Sequence, residues 1–299
     1  MAWCGRDGGV IDGSARTTEG GRALPELPEV ETARRGIAPF VAGATLARLL
    51  VRERRLRWPL PAGLEARVAR TRILGVERRA KYLLLPLARG AAPAGTLLLH
   101  LGMSGSLRVV PATTPPQKHD HLDLVLDSGR CLRLRDPRRF GCLLLIEGDP
   151  RAHPLLHDLG PEPLDDAFDG ALLAERARGR SVAVKSFLMD GAVVVGVGNI
   201  YANEALWRAG IDPRRAAGRV APARFVALAS AVKEVLHEAI AKGGTTLRDF
   251  VQVDGATGYF RVELAVYDRA GEPCPRCTTP VRVARIGQRS TFFCTSCQR

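Results

Sequence analysis

Residues 25–32 read Pro-Glu-Leu-Pro-Glu-Val-Glu-Thr, a pattern that predicts the start of a helix. Pro28 suits the first helical position, because its missing N–H costs nothing there. Glu29 and Glu31 stand near the positive end of the helix dipole, where acidic residues are favoured. Apolar residues then recur at helical spacing, at Val30, Ala33, Ile37 and Val41. Taken alone, these signals predict an N-terminal helix with an ordinary cap.

The composition is that of a basic globular protein. The 299 residues are 46% hydrophobic, enough for two domains with their own cores. The net charge of +13 indicates a polyanionic partner, most often nucleic acid. A general arginine bias of the source proteome is the alternative explanation. No apolar run approaches the roughly 20 residues that span a bilayer, and residues 1–24 lack the apolar core of a secretory signal.

Short apolar runs broken by Gly, Pro and Arg fill the region from Arg48 to about Ile146 and predict an antiparallel two-sheet β-sandwich. The predicted strands are Leu46–Val51, Ile73–Glu77, Tyr82–Leu87, Thr96–Leu101, His121–Leu126 and Cys131–Arg135. His119 and His121 share a strand face, and we expect a structural role for both because no third metal ligand is apparent nearby.

Helices are predicted after a Pro- and Gly-punctuated linker at Glu147–Asp166. The clearest is Pro222–Lys242, which has a single apolar face and ends at two glycines. Another, Ile200–Ala209, follows Gly198-Asn199. That pair is either a helix N-cap or a seat for a phosphate, since helix N-termini present free N–H groups to anions. The surrounding Gly-x-Gly is not a dinucleotide fingerprint, because no strand–helix–strand unit encloses it.

The C-terminal tail carries two Cys-x2-Cys pairs separated by sixteen residues. Two such pairs on two turns suit a tetrahedral four-thiolate zinc site, with a redox dithiol as the weaker alternative. The segments between them predict a β-hairpin that turns at Gly287, and nearby arginines suit a DNA groove. The predicted ligands are Cys274, Cys277, Cys294 and Cys297.

Several ordered motifs between Pro25 and Arg299 resemble those of the formamidopyrimidine-DNA glycosylases, enzymes that repair oxidised purines. The motifs are residues 25–32, Arg79–Tyr82, His100–Gly105, Lys118–His121, Asp136–Gly141, Val197–Tyr201 and Gln288–Cys294. The resemblance implies an α+β multidomain fold: an N-terminal helix with a β-sandwich, a helix-two-turn-helix domain and a zinc-finger hairpin, with DNA in the cleft between them. The coarse element prediction agrees with it.

The resemblance also implies the chemistry. Pro25 is expected to be the nucleophile when its secondary amine is the chain terminus, and Glu26 the acid/base group that assists opening of the sugar ring. Lys81 and Arg289 are expected at the catalytic site. A terminal amine with a pKa near 8 is roughly one-tenth deprotonated at pH 7, whereas a lysine near 10.4 needs strong desolvation to match it.

The remaining site residues follow from the same resemblance. Met103, Arg138 and Phe140 are expected to fill the gap that the extruded base leaves in the stack. The lesion-capping loop is expected at Asp254, Gly255, Ala256 and Tyr259; relatives commonly carry a long polar residue where Ala256 stands. The expected DNA contacts are His100, Arg139, Lys185, Asn199 and Arg289.

The N-terminal extension is a departure from the family pattern. Residues 1–24 place Pro25 in an amide bond, and an amide nitrogen is not nucleophilic. Their composition is that of a non-structural tail. We therefore expect them to be absent from the working protein, either because translation starts at position 24 or through proteolysis.

These observations predict four segments: the extension 1–24, a catalytic sandwich 25–150, a helical DNA-binding domain 151–270 and a zinc finger 271–299. The predicted function is a bifunctional glycosylase and AP lyase that excises 8-oxoguanine and formamidopyrimidines from double-stranded DNA, with one structural Zn2+. We expect a monomer in the bacterial cytosol or nucleoid. The alternatives are an oxidised-pyrimidine glycosylase of the endonuclease VIII type, and a non-catalytic binder of damaged DNA if residues 1–24 are retained.

Overall fold

The computed structural model describes residues 25–243 and 263–299 of the chain, with an N-terminal sheet domain, a helical domain and a C-terminal hairpin. The helices are α1 (Leu27–Val41), α2 (Leu64–Val68), α3 (Gly170–Ala177), α4 (Val184–Leu188), α5 (Asn199–Arg208) and α6 (Pro222–Ala241). The strands are β1 (Thr45–Val51), β2 (Thr71–Ile73), β3 (Glu77–Arg79), β4 (Tyr82–Arg89), β5 (Ala92–His100), β6 (Ser106–Pro111), β7 (Asp120–Leu126), β8 (Arg130–Arg135), β9 (Cys142–Ile146), β10 (Arg282–Ile286) and β11 (Arg289–Phe293).

Helix α1 begins one residue before Pro28, and the Glu29 carboxylate accepts a hydrogen bond from the Glu26 N–H (2.9 Å) at its start. The apolar stripe predicted from the sequence is the buried face of this helix. Its members are each at most 1% exposed and belong to the core of the sheet domain: Val30, Ala33, Ile37 and Val41.

The sheet domain is a β-sandwich in which hydrogen bonding links nine strands into one antiparallel arrangement. The path runs β6-β8-β7-β1-β2-β4-β5-β9, and β3 pairs with β4. The two ends of the path contribute to the same core, because Leu107 of β6 and Leu143 of β9 belong to one buried cluster. The sheet is therefore folded over on itself, which confirms the predicted sandwich.

The predicted strand Ile73–Glu77 is wrong: β2 ends where it was expected to begin, and β3 starts at its last residue. Ile73 pairs with Leu87 of β4, whereas Glu77 pairs with Leu84, so three residues of one strand face two of the other. At this point β4 contains Pro86, which has no N–H for the ladder and only accepts, from Leu74 N (2.8 Å). The local mismatch breaks the apolar run in two.

The helical domain packs α3, α4, α5 and α6 around a second core, and the linker before it contains neither an α-helix nor a strand. The hairpin β10–β11 then packs on α5, where the Asn203 side chain accepts from the Phe292 N–H (2.8 Å). Leu27 N, at the start of α1, donates to Gly196 O (3.1 Å) just before α5. The two helix N-termini, one from each domain, therefore meet.

Candidate active site

Glu26 lies at the junction of the two domains. Its carboxylate accepts hydrogen bonds from the N–H groups of Gly198 (2.9 Å), Ile200 (3.0 Å) and Tyr201 (3.4 Å) at the start of α5. The first N–H groups of a helix have no partner within it, and an anion there is favoured by the helix dipole. The carboxylate, whose residue is only 2% exposed, therefore completes α5 and fixes the residue next to Pro25.

The Gly198-Asn199 pair works differently from the predicted N-cap. Gly198 is the capping residue, and Asn199 is the first helical residue, with a side-chain amide that donates to Ser290 O (3.1 Å) in the hairpin. The anion at this helix N-terminus is the Glu26 carboxylate. A Cβ on residue 198 would lie 2.2 Å from the Glu26 carboxyl carbon, so only glycine leaves room for it. The contact of Asn199 with DNA stays a prediction.

Burial raises the pKa of Glu26 to about 7, and the neighbouring Lys81 ammonium opposes the rise. A carboxyl group with this pKa exists in both protonation states near neutral pH, which suits acid/base chemistry. The adjacent Glu29 carboxylate accepts from the Tyr201 hydroxyl (2.7 Å). The site thus contains two carboxyl groups in different surroundings, one held by backbone N–H groups and one by a tyrosine hydroxyl.

Lys81 is placed by the tight turn between β3 and β4, where Ala80 has a positive φ of 54°. The Glu162 carboxylate, from the linker, accepts from Ala80 N (2.7 Å) and holds this turn. His100, at the end of β5, lies close enough for Lys81 to help lower its pKa to about 4, although burial is the larger cause. His100 is therefore neutral near pH 7, and its Nδ1 accepts from Gly102 N (3.0 Å).

Lys185 ties the helical domain to the zinc hairpin. It is 1% exposed, and its ammonium donates to Ser290 O (2.8 Å) and Thr291 Oγ1 (2.7 Å). Burial and the nearby Arg289 lower the pKa of Lys185 to about 8, while Glu26 raises it. Lys185, Arg289 and Glu26 are thus electrostatic neighbours. Phosphate binding by Lys185 stays a prediction, and its observed contacts are with the hairpin.

The expected gap-filling residues lie on two loops that pack backbone against backbone. A Cβ on Gly102 would lie 2.4 Å from the Phe140 carbonyl carbon, and Gly102 has a positive φ of 65°. The fully buried Asp136 joins the loops, since its carboxylate accepts from Ser104 Oγ (2.7 Å) and Gly141 N (2.7 Å). Asp136 thus supports both loops from beneath.

An open cavity of about 540 Å3 lies over these loops. Its lining includes the Phe140 ring, 37% exposed, with the Arg138 guanidinium 4.8 Å from the ring centre. The complete lining is Arg55, Arg57, Met103, Arg138, Arg139 and Phe140. A cationic cavity with an exposed aromatic side chain suits a nucleic acid whose bases are unstacked.

Sequence reasoning missed two of these cavity residues, Arg55 and Arg57. The available signal was the arginine-rich segment Arg52–Trp58 directly after β1, which was not assigned a role. It also missed Tyr267, whose pKa is raised mainly by burial and which lies near Asn199, Glu26 and Arg289. The expected structural role of His121 agrees with its contact in the fold, where its Nε2 lies 2.8 Å from Asp136 O.

The four predicted cysteine ligands converge at the base of the hairpin. Their sulfur atoms lie within 4.8 Å of one another, with Cys277 Sγ 3.4 Å from Cys294 Sγ and Cys274 Sγ 3.9 Å from Cys297 Sγ. A tetrahedron with Zn–S bonds of about 2.3 Å has S···S edges of about 3.8 Å, so the residues fit zinc. The Trp207 indole N–H donates to Cys274 Sγ (3.4 Å).

Family models match three successive segments of the chain. The N-terminal domain of formamidopyrimidine-DNA glycosylase matches residues 24–143, its H2TH domain residues 159–251, and a zinc finger found in FPG and IleRS residues 271–299. The chain belongs to the formamidopyrimidine-DNA glycosylase family. The metal centre is accordingly a structural zinc finger.

Relatives and solved structures agree with this assignment. The formamidopyrimidine-DNA glycosylase of Syntrophotalea carbinolica is 60% identical over 276 residues, which are 92% of this chain and 100% of the relative. The MutM (Fpg) protein of Thermus thermophilus superposes with a TM-score of 0.79 at 42% identity, covering 92% of this chain and 98% of that one. Lactococcus lactis Fpg in complex with abasic-site DNA gives 0.82 at 32%, covering 92% and 100%.

The glycosylase family assignment makes the protein a DNA glycosylase of base excision repair, in a family that also has AP lyase activity. The expected capping-loop residues Asp254, Gly255, Ala256 and Tyr259 lie outside the described residues. Within the described residues, none of the helices has both the length and the apolar content to cross a bilayer.

Proposed function

We propose that this glycosylase excises oxidised purines from duplex DNA with the Pro25 amine as nucleophile. The observation that carries the proposal is the position of Glu26. Three N–H groups of α5 fix its carboxylate, and burial keeps its pKa at about 7. Pro25 directly precedes this anchored residue in the sequence, which supports a place for its nitrogen at the domain junction. A secondary amine in such a place suits covalent catalysis.

The proposed reaction proceeds through an iminium ion. The Pro25 lone pair attacks C1′ of the sugar as the bond from C1′ to the base breaks, with its electrons leaving on the base, and the proton that the Pro25 nitrogen then loses goes to the departing base. Protonated Glu26 gives its proton to O4′ as the C1′–O4′ bond opens, which leaves the iminium. Loss of a 2′ proton then expels the 3′ phosphate, and a second elimination expels the 5′ phosphate. Water finally hydrolyses the remaining iminium and frees the amine.

The other site residues hold the DNA in this proposal. Lys81, beside both Glu26 and His100, is the cation nearest the reacting sugar. His100, Asn199 and Arg289 contact the phosphates around the lesion, and Lys185 supports the hairpin that carries Arg289. Met103, Arg138 and Phe140 enter the gap in the stack, where Arg138 offers its donors to the unpaired cytosine.

A free Pro25 amine is a condition of this function. The proposal therefore includes the loss of residues 1–24 from the working protein, by initiation at position 24 or by proteolysis. The intact mass of the protein expressed from its own gene with its own upstream region tests this condition. A chain that retains residues 1–24 and still releases the base would refute proline catalysis. The cytosol or nucleoid as the place of action, and a monomeric state, belong to the same proposal.

Borohydride trapping tests the mechanism. A chain that begins at Pro25 is incubated with duplexes containing 8-oxoguanine opposite cytosine, and the covalent product is digested and mapped by mass spectrometry. We expect the adduct on Pro25 and its loss when the terminal amine is acetylated beforehand. Thymine glycol duplexes, run in parallel, separate this activity from that of an endonuclease VIII type enzyme. The absence of any trapped product with an unblocked Pro25 would overturn the proposal.

A further inference from the structure

One acidic side chain, Glu53, lies directly beside the arginine-lined cavity. One of its oxygens accepts from the N–H and the Nε of Arg55, both at 2.9 Å. The other accepts from a terminal nitrogen of Arg55 (2.9 Å) and from Arg139 Nη1 (3.2 Å). A single carboxylate therefore binds two of the guanidinium groups that line the cavity.

Glu53 differs from the other acidic partners of the arginine-rich segment Arg52–Trp58 because its arginine lines the cavity. Arg52 pairs with Asp123 and Arg54 with Glu65, and neither arginine lines the cavity. The Glu53 side chain is 18% exposed, against 80% for Arg55 and 47% for Arg139. The guanidinium groups therefore face solvent, with the carboxylate beneath them.

The backbone at Arg139 is already fixed, so its contact with Glu53 sets the direction of the side chain. Arg139 has a positive φ of 57°, an uncommon conformation for a residue with a side chain, and its N–H donates to Asp136 O (3.1 Å). It stands between Arg138 and Phe140, the residues expected to enter the base stack. Hydrogen bonding by Arg55 holds the pKa of Glu53 at about 2, so the carboxylate is ionised throughout the neutral range.

A carboxylate at this position weakens the part of DNA binding that does not depend on a lesion. Affinity for any duplex grows with the number of phosphates that lysine and arginine side chains neutralise, since each contact releases counterions. Glu53, Arg55 and Arg139 together carry one net positive charge, whereas the two arginines alone would carry two. In the proposed function, binding at a lesion has a second contribution, from insertion of the neighbouring loop into the stack, which does not depend on the number of phosphate contacts made by Arg55 and Arg139.

We propose that Glu53 is a specificity-determining residue that holds Arg55 and Arg139 in place and limits the affinity of the protein for undamaged duplex. The proposal rests on the proposed function, because it takes duplex DNA as the partner of the cavity. Its consequence is a larger ratio between the affinity for damaged DNA and the affinity for undamaged DNA than the arginines alone would give.

The test compares Glu53→Gln with the unchanged protein. Dissociation constants are measured for an undamaged duplex and for the same duplex with a stable abasic-site analogue, between about 50 and 200 mM salt. We expect the variant to bind undamaged DNA roughly threefold to tenfold more tightly, with a salt dependence steeper by about 0.9 for each added phosphate contact. The ratio of lesion to undamaged affinity falls. The matched control is Glu65→Gln, which frees Arg54 away from the cavity and leaves both quantities unchanged.

A double variant identifies the cation responsible. Adding Arg139→Gln to Glu53→Gln removes most of the gain in affinity if Arg139 carries it, and the double-mutant cycle measures this coupling. Weaker binding by Glu53→Gln, or an unchanged salt dependence in a variant that unfolds at the same temperature as the unchanged protein, would overturn the inference. Failure of the unchanged protein to be trapped on damaged DNA would instead refute the proposed function, so the two failures are distinguishable.

Discussion

At the scale of single residues, Glu26 is decisive because its carboxylate completes the start of α5 and, in the proposed reaction, supplies a proton. Its pKa of about 7, set mainly by burial, means that the fraction of Glu26 able to donate a proton during iminium formation falls as pH rises above 7. The Pro25 amine, with an ordinary pKa near 8, must lose its proton, so the rate rises toward pH 8. We expect a bell-shaped profile in single-turnover measurements. Glu26→Gln should lower the rate about 10²–10⁴-fold and remove the high-pH limb.

The stability of the same variant gives a check that does not depend on activity. The pKa of Glu26 in the folded state is about 7, above its ordinary value of 4.5. The folded protein therefore holds this proton more tightly than the unfolded chain. The contribution to stability is complete below pH 4.5 and is lost as pH rises through 7. Urea midpoints should show this decline in the unchanged protein and not in Glu26→Gln; parallel curves for the two would contradict the assignment.

At the scale of elements, sequence pattern predicted what depends on local chemistry. The period of α1, the presence of β4, β5, β7 and β8, the start of α6 and the metal hairpin follow from apolar spacing and cysteine spacing, whereas β6 and β9 were not predicted. The break between β2 and β3 was missed, because it arises from Pro86 on a strand that is distant until the sheet forms. The apolar pattern alone has no information about that partner.

The candidate site shows the same limit. Residue types and family resemblance suggested Glu26 and the 198–199 pair separately, but only the fold places the carboxylate of one on the N–H groups of the other, across 172 residues of sequence. The cavity residues Arg55 and Arg57 lie in an unassigned charged segment, and such segments usually face solvent. Tertiary packing brings them beside Met103.

The zinc hairpin is the element whose removal should have the clearest effect. It presents Arg289, and Ser290 O and Thr291 Oγ1 accept both hydrogen bonds of the buried Lys185 ammonium. We expect metal chelation to unfold the hairpin, expose Lys185 and abolish DNA cleavage, with recovery when Zn2+ is restored. Trp207 fluorescence should change in step, because its N–H donates to Cys274 Sγ.

A calcium-selective chelator is the control for this experiment, since it leaves thiolate-bound zinc in place. Metal content is measured on the same samples. Full cleavage by protein shown to contain no metal would contradict the structural role of the zinc finger.

At the scale of the whole molecule, Glu162 of the linker contacts the turn of the sheet domain that carries Lys81. The Glu162 carboxylate accepts from Ala80 N (2.7 Å) and pairs with Arg78 and with Arg79 (3.1 Å). Its side chain is 13% exposed, so these contacts are partly shielded from solvent. The next residue after Ala80 is Lys81. The same carboxylate therefore holds the linker against the turn that carries Lys81, the residue proposed for the catalytic site.

Removing this carboxylate should affect stability and rate together. Glu162→Ala leaves the Ala80 N–H and part of Arg78 without an acceptor, which costs about 1–3 kcal/mol of stability. Because the turn then moves, we expect the single-turnover rate to fall at least roughly tenfold, as small misplacements of catalytic groups do. Affinity for undamaged duplex stays nearly constant, since no cavity arginine is touched.

The matched variant is Glu147→Ala, which removes an exposed partner of Arg67 at the start of the same linker. Exposed ion pairs contribute at most about 1 kcal/mol, so its urea midpoint and its rate should remain close to those of the unchanged protein. If Glu162→Ala lowered the urea midpoint but left the rate intact, the contacts of Glu162 would contribute to stability alone. Lys81 would then be positioned by its own strand turn, and the domain junction would act on catalysis through Glu26 alone.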